Sequence, residues 1–275
     1  MGRVEGTVAF VPGAAQGQGQ SHCLRLAEEG ADIIAVDVCE TTTPMFAGAT
    51  EEDLAETVRL IEKHGRRVIA RKADVRDFAA LKAVVDEGVA ELGHLDTIVA
   101  NAGTISYADS LQLPEDEWDA IVDICMKGVW LTLKAGVPHI IAGGRGGSVV
   151  LTSSTAGHKG LRNMAHYAAA KHGVEGLMKV FALELAEHSI RVNCVRPTAV
   201  NTDMVLNQSM YDVFRPDLAN PTVDDCKEAL AQLHLLPIPW INAIDISNAV
   251  LYLASDEARY VTGSSMSVDA GMQAK

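Results

Sequence analysis

Thr7-Val-Ala-Phe-Val11, followed by Pro12-Gly13-Ala14-Ala15-Gln16-Gly17-Gln18-Gly19, is the stretch on which the fold turns. The first five residues are a short apolar run of strand type. Glycines punctuate the next eight, and a helical pattern through Leu24, Leu26 and Ala27 follows. Ala31-Asp-Ile-Ile-Ala-Val36 then reads as a second strand ending in Asp37. Strand, glycine turn, helix and strand make the first unit of a dinucleotide-binding fold. Glycine lets the backbone turn tightly and approach a pyrophosphate, while the helix start offers free N–H groups and a positive dipole end to the anion. Gly13, Gln16, Gly17, Gln18 and Gly19 are therefore candidate cofactor contacts. Asp37, with Val38 beside it, stands where a carboxylate accepts from both ribose hydroxyls. It would repel a 2′-phosphate, and Gln16 and Val38 supply no compensating cation, so NAD is preferred to NADP.

Outward from this unit, strands and helices keep alternating. Arg67–Lys72, Leu95–Ala100, Val149–Ser154, Ser189–Val195 and Ser265–Val268 read as further strands. Helical patterns start at Thr50 and end near Gly65, then cover Phe78–Leu92, Pro114 to about Ile141, Asn163–Glu187 and Asp245–Leu253. The expected architecture is a single α/β domain over 1–275, a Rossmann fold whose doubly wound parallel sheet of about seven strands carries helices on both faces. Asp74-Val75 follow the third strand, placed either to touch an adenine or, for Asp74, simply to cap a helix. Asn101-Ala102-Gly103 close the fourth strand with small residues that permit close approach of a cofactor. A polar, turn-rich insertion occupies 38–50. A proline-rich segment at about 198–240, with apolar Met204, Val205, Leu206, Met210, Phe214, Leu235, Leu236 and Trp240, reads as a substrate lid or, alternatively, as a surface excursion without a role.

Composition narrows the possible partners. Hydrophobic residues at 48% and charged residues at 21% suit a soluble domain with a full core. A net charge of -13 opposes a phosphate backbone, so nucleic acid is not expected as a partner. No apolar run reaches the roughly 18 residues that cross a bilayer, and Met1-Gly-Arg-Val-Glu-Gly6 holds no signal-peptide core. The five cysteines are scattered and odd in number, which favours reduced thiols in a cytoplasm and argues against a metal site.

Tyr167-Ala-Ala-Ala-Lys171 carries the candidate chemistry. On a helix these two side chains share a face, about 6 Å apart along the axis. An ammonium near a phenol favours the phenolate, so Lys171 is expected to lower the Tyr167 pKa and tune it for proton transfer. Ser154, upstream at the end of an apolar run, can hydrogen-bond the same reacting oxygen.

Gly13, Gly17 and Gly19, Asp74, Asn101-Ala102-Gly103, Ser154, Tyr167, Lys171, and Pro197 with Thr202 together resemble the short-chain dehydrogenase/reductase family, over nearly the whole chain. The insertion after Asp37 and the runs Asp74-Val-Arg-Asp77 and Val99-Ala-Asn-Ala-Gly103 are most similar to its actinobacterial branch labelled carveol dehydrogenase or mycofactocin-coupled dehydrogenase. The resemblance implies an NAD-dependent oxidoreductase that interconverts a small hydrophobic, terpenoid-like secondary alcohol and its ketone. It implies Tyr167 as general acid/base, Lys171 on the nicotinamide ribose and Ser154 on the substrate oxygen. Thr202 and the backbone near Val200 then hold the carboxamide, with Pro197 among the cofactor contacts. It further implies a homotetramer built through the two long helices, whose apolar residues from Trp118 to Val137 read as a core face plus a subunit face. An NAD held without free exchange also falls within what the branch implies.

This chain departs from the family pattern in places. Pro12 replaces a threonine and donates no backbone hydrogen bond. Thr198 replaces the glycine after Pro197, which stiffens the lid hinge. Cys125 stands where the family carries an asparagine associated with a proton-relaying water, and a thiol is a weak donor and acceptor. Cys125 is either a small buried residue or a reactive thiol. These departures motivate an alternative reading, an NAD(H)-binding protein with little turnover that serves as a sensor or structural subunit.

Overall fold

The computed structural model describes residues 2–275. In chain order, β1 (Val8–Pro12) leads through α1 (Gly17–Glu28) to β2 (Asp32–Asp37), then through α2 (Glu51–Lys63) to β3 (Val68–Lys72) and through α3 (Phe78–Leu92) to β4 (Thr97–Ala100). Next come α4 (Glu115–Val122), a π-helical turn (Asp123–Lys127), α5 (Gly128–Gly143), β5 (Gly147–Thr152), α6 (Ala165–Glu184) and β6 (Ile190–Pro197). Two short strands, β7 (Val200–Asn201) and β8 (Ile241–Asn242), bracket α7 (Gln208–Phe214) and α8 (Val223–Ala231). The chain ends through α9 (Ala243–Ala254) and β9 (Ser265–Val268). The seven-stranded sheet has the order β3-β2-β1-β4-β5-β6-β9, and every pairing in it is parallel.

A parallel sheet with helices on both faces needs strands that are apolar on both sides. β1, β2 and β4 are buried along their whole length, which accounts for their unbroken apolar runs. Successive residues feed opposite layers. Ile33 belongs to the buried cluster that holds Leu26, Ile61 and Val250 from α1, α2 and α9, while Ile34 belongs to the one that holds Leu81, Leu133 and Met178 from α3, α5 and α6. Helix limits follow local chemistry. A Thr50–Asp53 capping box starts α2; Asp77 caps α3, and left-handed Gly93 ends it. Chain order reverses between β1 and β4, which opens a crevice beyond their carboxyl ends.

Several expectations need correction. The helix expected over Pro114–Ile141 is interrupted by the π turn that carries Cys125. At Gly128, just beyond it, a Cβ would lie 2.7 Å from Val75 Cγ2, so the helix passes this strand end at glycine distance. The fifth strand stops at Thr152, because the Ser154 hydroxyl accepts from Ala156 N–H at 3.1 Å and starts a tight turn instead. The Tyr167 helix begins at Ala165, since Asn163 has φ +63°, outside the helical region. The segment expected to be irregular holds α7, capped by Asn207, and α8, opened by a Thr222–Asp225 capping box.

Candidate active site

The carboxyl ends of the central strands open onto one cavity of about 250 Å³. Every cofactor and catalytic candidate selected from the sequence borders it. At one end lies the glycine turn. Gly13 has φ +76°, and a Cβ there would lie 2.9 Å from Ala102 Cα. A Cβ on Gly19 would fall 1.7 Å from the Gly13 carbonyl oxygen, so no side chain fits. Pro12 donates nothing, and the turn is held instead by Gly13 and Ala14 N–H groups, both donating to Val36 O at 2.7 and 3.0 Å. Asn101 Nδ2 adds a bond to Gly13 O at 3.4 Å. Gln16, at the start of α1, makes no side-chain cap bond, and the Gln18 Oε1 is buried without a protein partner. The first turn of α1 therefore presents free donors to the cavity.

Asp37 is buried, and each of its oxygens takes one backbone N–H, from Ala15 and from Cys39, both at 3.0 Å. A carboxylate has about four acceptor sites, so about two remain for a ligand. Val38 and Val75 flank it around the cavity. Asp74 borders the cavity beside Val75 and does not cap the helix that follows. Arg76 engages both its oxygens, with Nε at 3.0 and 2.9 Å, and the α3 cap is Asp77. Burial alone would raise the Asp74 carboxyl, but the bonds to Arg76 hold it below its ordinary value. The insertion contributes Glu40, Thr42, Phe46 and Ala49 to the lining. Its Thr43 hydroxyl donates to Ile105 O at 3.0 Å, so it reaches from the end of β2 to the segment after β4.

At the other end, Lys171 Nζ donates to Thr152 O at 2.7 Å and lies 5.5 Å from the Tyr167 ring centroid. The expectation that this ammonium depresses the phenol is reversed here. Burial pushes the Tyr167 phenol up, nearby Cys125 adds to the rise, and only the Ser154 hydroxyl pulls it back. Burial likewise lowers the Lys171 pKa. Cys125 is fully buried; its sulfur accepts from Thr104 N–H at 3.3 Å, and its S–H donates to Thr104 O at 3.2 Å. It is thus a small buried residue with a defined partner.

The remaining wall is apolar. Met204, Val205, Met210 and Phe214 from the 198–240 segment border it, whereas Leu235 and Leu236 are each 58% exposed and face away. Thr198 Oγ1 lies 2.7 Å from His234 Nε2 and 3.2 Å from Met272 Sδ, tying both stems of the segment to the C-terminal turn. Ile105, Tyr107, Leu161, Met164, Leu233 and Met272 also line the cavity. Sequence reasoning missed them, and no motif or periodicity marks them. Burial raises the Tyr107 phenol, and Tyr167 adds to it. Among the described residues no group of His, Cys, Asp or Glu could hold a metal ion, and no helix is long and apolar enough to cross a membrane.

Known proteins share this fold. Residues 7–211 match the short chain dehydrogenase family. The (-)-trans-carveol dehydrogenase of Rhodococcus erythropolis is 50% identical over 277 residues, covering 100% of both chains. The crystal structure of carveol dehydrogenase from Mycobacterium avium in complex with NAD superposes with a TM-score of 0.98 at 55% identity, covering 100% of each chain. A short chain dehydrogenase from Mycobacterium paratuberculosis bound to NAD gives a TM-score of 0.90 at 44% identity, again over 100% of each chain.

Proposed function

The chain belongs to the short-chain dehydrogenase family, and on that premise we propose that it is an NAD-dependent oxidoreductase interconverting a small hydrophobic, terpenoid-like secondary alcohol and its ketone. One observation carries the reading: Ser154, Tyr167 and Lys171 border the same cavity as the glycine turn and Asp37, with an apolar wall beside them.

The residues fit the cofactor. Gly13, Gly17 and Gly19 leave only backbone to meet a pyrophosphate, and the free acceptor sites of Asp37 suit ribose hydroxyls. Asn101-Ala102-Gly103 and Val75 border the space between, while Pro197, Val200, Thr202 and Lys171 form its nicotinamide end. When bound, oxidised NAD supplies the hydride acceptor and a positive ring charge that favours the phenolate. Ser154 holds the substrate oxygen. Tyr167, a phenol that is already protonated at neutral pH at its ordinary value of about 10, delivers its proton to a ketone oxygen; in the oxidative direction it must first lose that proton to act as base. Lys171 is anchored on the Thr152 carbonyl beneath the phenol and stays in place through both directions.

The 198–240 segment acts as the substrate lid, hinged on the Thr198–His234 and β7–β8 contacts. The protein works in the cytoplasm as a homotetramer; its five buried free cysteines and the partly exposed Trp118 and Trp130 support this. The test is mass spectrometry of the purified protein for bound nucleotide, then a secondary-alcohol panel with a redox dye as acceptor. Tyr167→Phe should lose about 10²–10⁴-fold in rate. Alcohol oxidation should rise with pH above neutrality, while ketone reduction stays flat until the phenol ionises. A Tyr167→Phe variant as fast as the parent would defeat the mechanism. Tight NAD without turnover by any acceptor would support the binding-only reading instead.

A further inference from the structure

Ser106 stands between two cavity residues. Ile105 and Tyr107 border the substrate half of the cavity, and Ser106 does not. Its hydroxyl lies 2.7 Å from His166 Nε2 and 3.4 Å from Glu117 Oε2. Ser106 is 6% exposed and His166 not at all. The rest of the segment is held from other sides. Cys125 bonds both backbone groups of Thr104, Thr43 takes the Ile105 carbonyl, and Ala108 N–H donates to Asn163 O at 3.0 Å.

The proton positions follow from what each atom can bond. A carboxylate only accepts, so the Ser106 hydroxyl donates to Glu117 and accepts from His166 Nε2–H. His166 Nδ1 is buried without a protein partner. An unshared acceptor there is less costly than an orphaned N–H, which selects the neutral Nε2–H tautomer. Burial keeps the ring neutral by lowering its pKa, with the Glu117 charge opposing.

We propose that His166 is a positioning residue: its Nε2–H bond to Ser106 sets the Ile105–Tyr107 wall of the substrate cavity relative to Tyr167, the next residue along α6. The proposal rests on the dehydrogenase reading above. Adjacent residues of one helical turn then carry the acid/base and the anchor of the wall that faces it. His166 touches neither substrate nor cofactor and acts through substrate fit.

Glutamine and asparagine separate the two ring nitrogens. A glutamine amide reaches the place of Nε2, whereas an asparagine amide reaches only that of Nδ1. On the NAD-loaded protein with a cyclic secondary alcohol, His166→Gln should keep kcat/KM within about threefold of the parent. His166→Asn and Ser106→Ala should each lose about tenfold, the size expected for one buried hydrogen bond, expressed mainly in KM. The double variant should be no worse than either single change. Hydrogen exchange of the 104–108 amides should quicken in His166→Asn and Ser106→Ala but not in His166→Gln, a readout that needs no turnover. Equal losses in His166→Gln and His166→Asn would reduce the ring to packing and overturn the proposal, as would unchanged KM in both His166→Asn and Ser106→Ala. No turnover by the parent would refute the dehydrogenase reading; the exchange pattern would still decide whether the bond holds the wall.

Discussion

Replacing Asp37 by asparagine tests how this chain selects its nucleotide. Both carboxylate oxygens accept a backbone N–H, from Ala15 and Cys39, at 3.0 Å each. An asparagine keeps one acceptor oxygen and turns an NH₂ toward the other N–H. That loses a charge-assisted bond and leaves a buried donor unpaired, a cost of about 1–3 kcal/mol to the turn itself. The two ribose hydroxyls suffer separately. Their bonds to a charged acceptor, about 1.5–3 kcal/mol each, become one neutral bond of about 0.5–1.5 kcal/mol, so about 2.5–4.5 kcal/mol of NAD binding should vanish. At about 1.4 kcal/mol per decade, that is a weakening of roughly 60- to 1600-fold. Calorimetric titration of Asp37→Asn with NAD and with NADP measures it. NADP affinity should change far less, because removing the carboxylate charge also removes its repulsion of the 2′-phosphate. NAD affinity within threefold of the parent would refute the reasoning. An equal loss for both nucleotides would show that only the turn had been damaged.

Other perturbations address the rest of the cavity. Thr43→Val deprives the buried Ile105 carbonyl of its donor; a penalty of about 1–3 kcal/mol should speed NAD release by about 5- to 100-fold, read by stopped-flow dilution, and an unchanged rate would disconnect the insertion from cofactor retention. Cys125→Asn should keep or raise activity, because an amide can both accept from Thr104 N–H and donate to Thr104 O. Cys125→Val, which can do neither, should lose about tenfold or more. A large loss in Cys125→Asn would instead show a role for the thiol itself. For Glu175, burial would raise the carboxyl, but its bonds to Arg196 and Ser265 hold it below the usual range. A folded pKa depressed below the unfolded value of about 4.3 means the contribution is complete above that pH and is lost as pH falls through the folded pKa. The melting-temperature gap between parent and Glu175→Gln should therefore narrow as pH drops from 6 to about 3, and a constant gap would contradict the linkage.

What could be read along the chain was whatever depends on near neighbours. The strand runs of β1, β2 and β4 are apolar because both faces are covered, and Gly13 and Gly19 are glycine because backbone closes on them. Tyr167 and Lys171 share a face because helical periodicity puts them there. The chain alone thus determined the fold class, the glycine turn and the Ser154, Tyr167 and Lys171 side of the cavity, but not Ile105, Tyr107, Leu161, Met164, Leu233 and Met272 in its wall. Tertiary structure decided the rest. Thr43 meets the Ile105 segment across 62 positions, His166 meets Ser106 across 60, and Thr198 meets His234 across 36. No local pattern encodes such pairings, since they arise only when parallel strands pair and their connecting segments collect beyond the strands' carboxyl ends. Tyr167 makes the same point for electrostatics. Spacing brings an ammonium beside its phenol, yet burial sets the direction of the shift, and burial belongs to the packed whole.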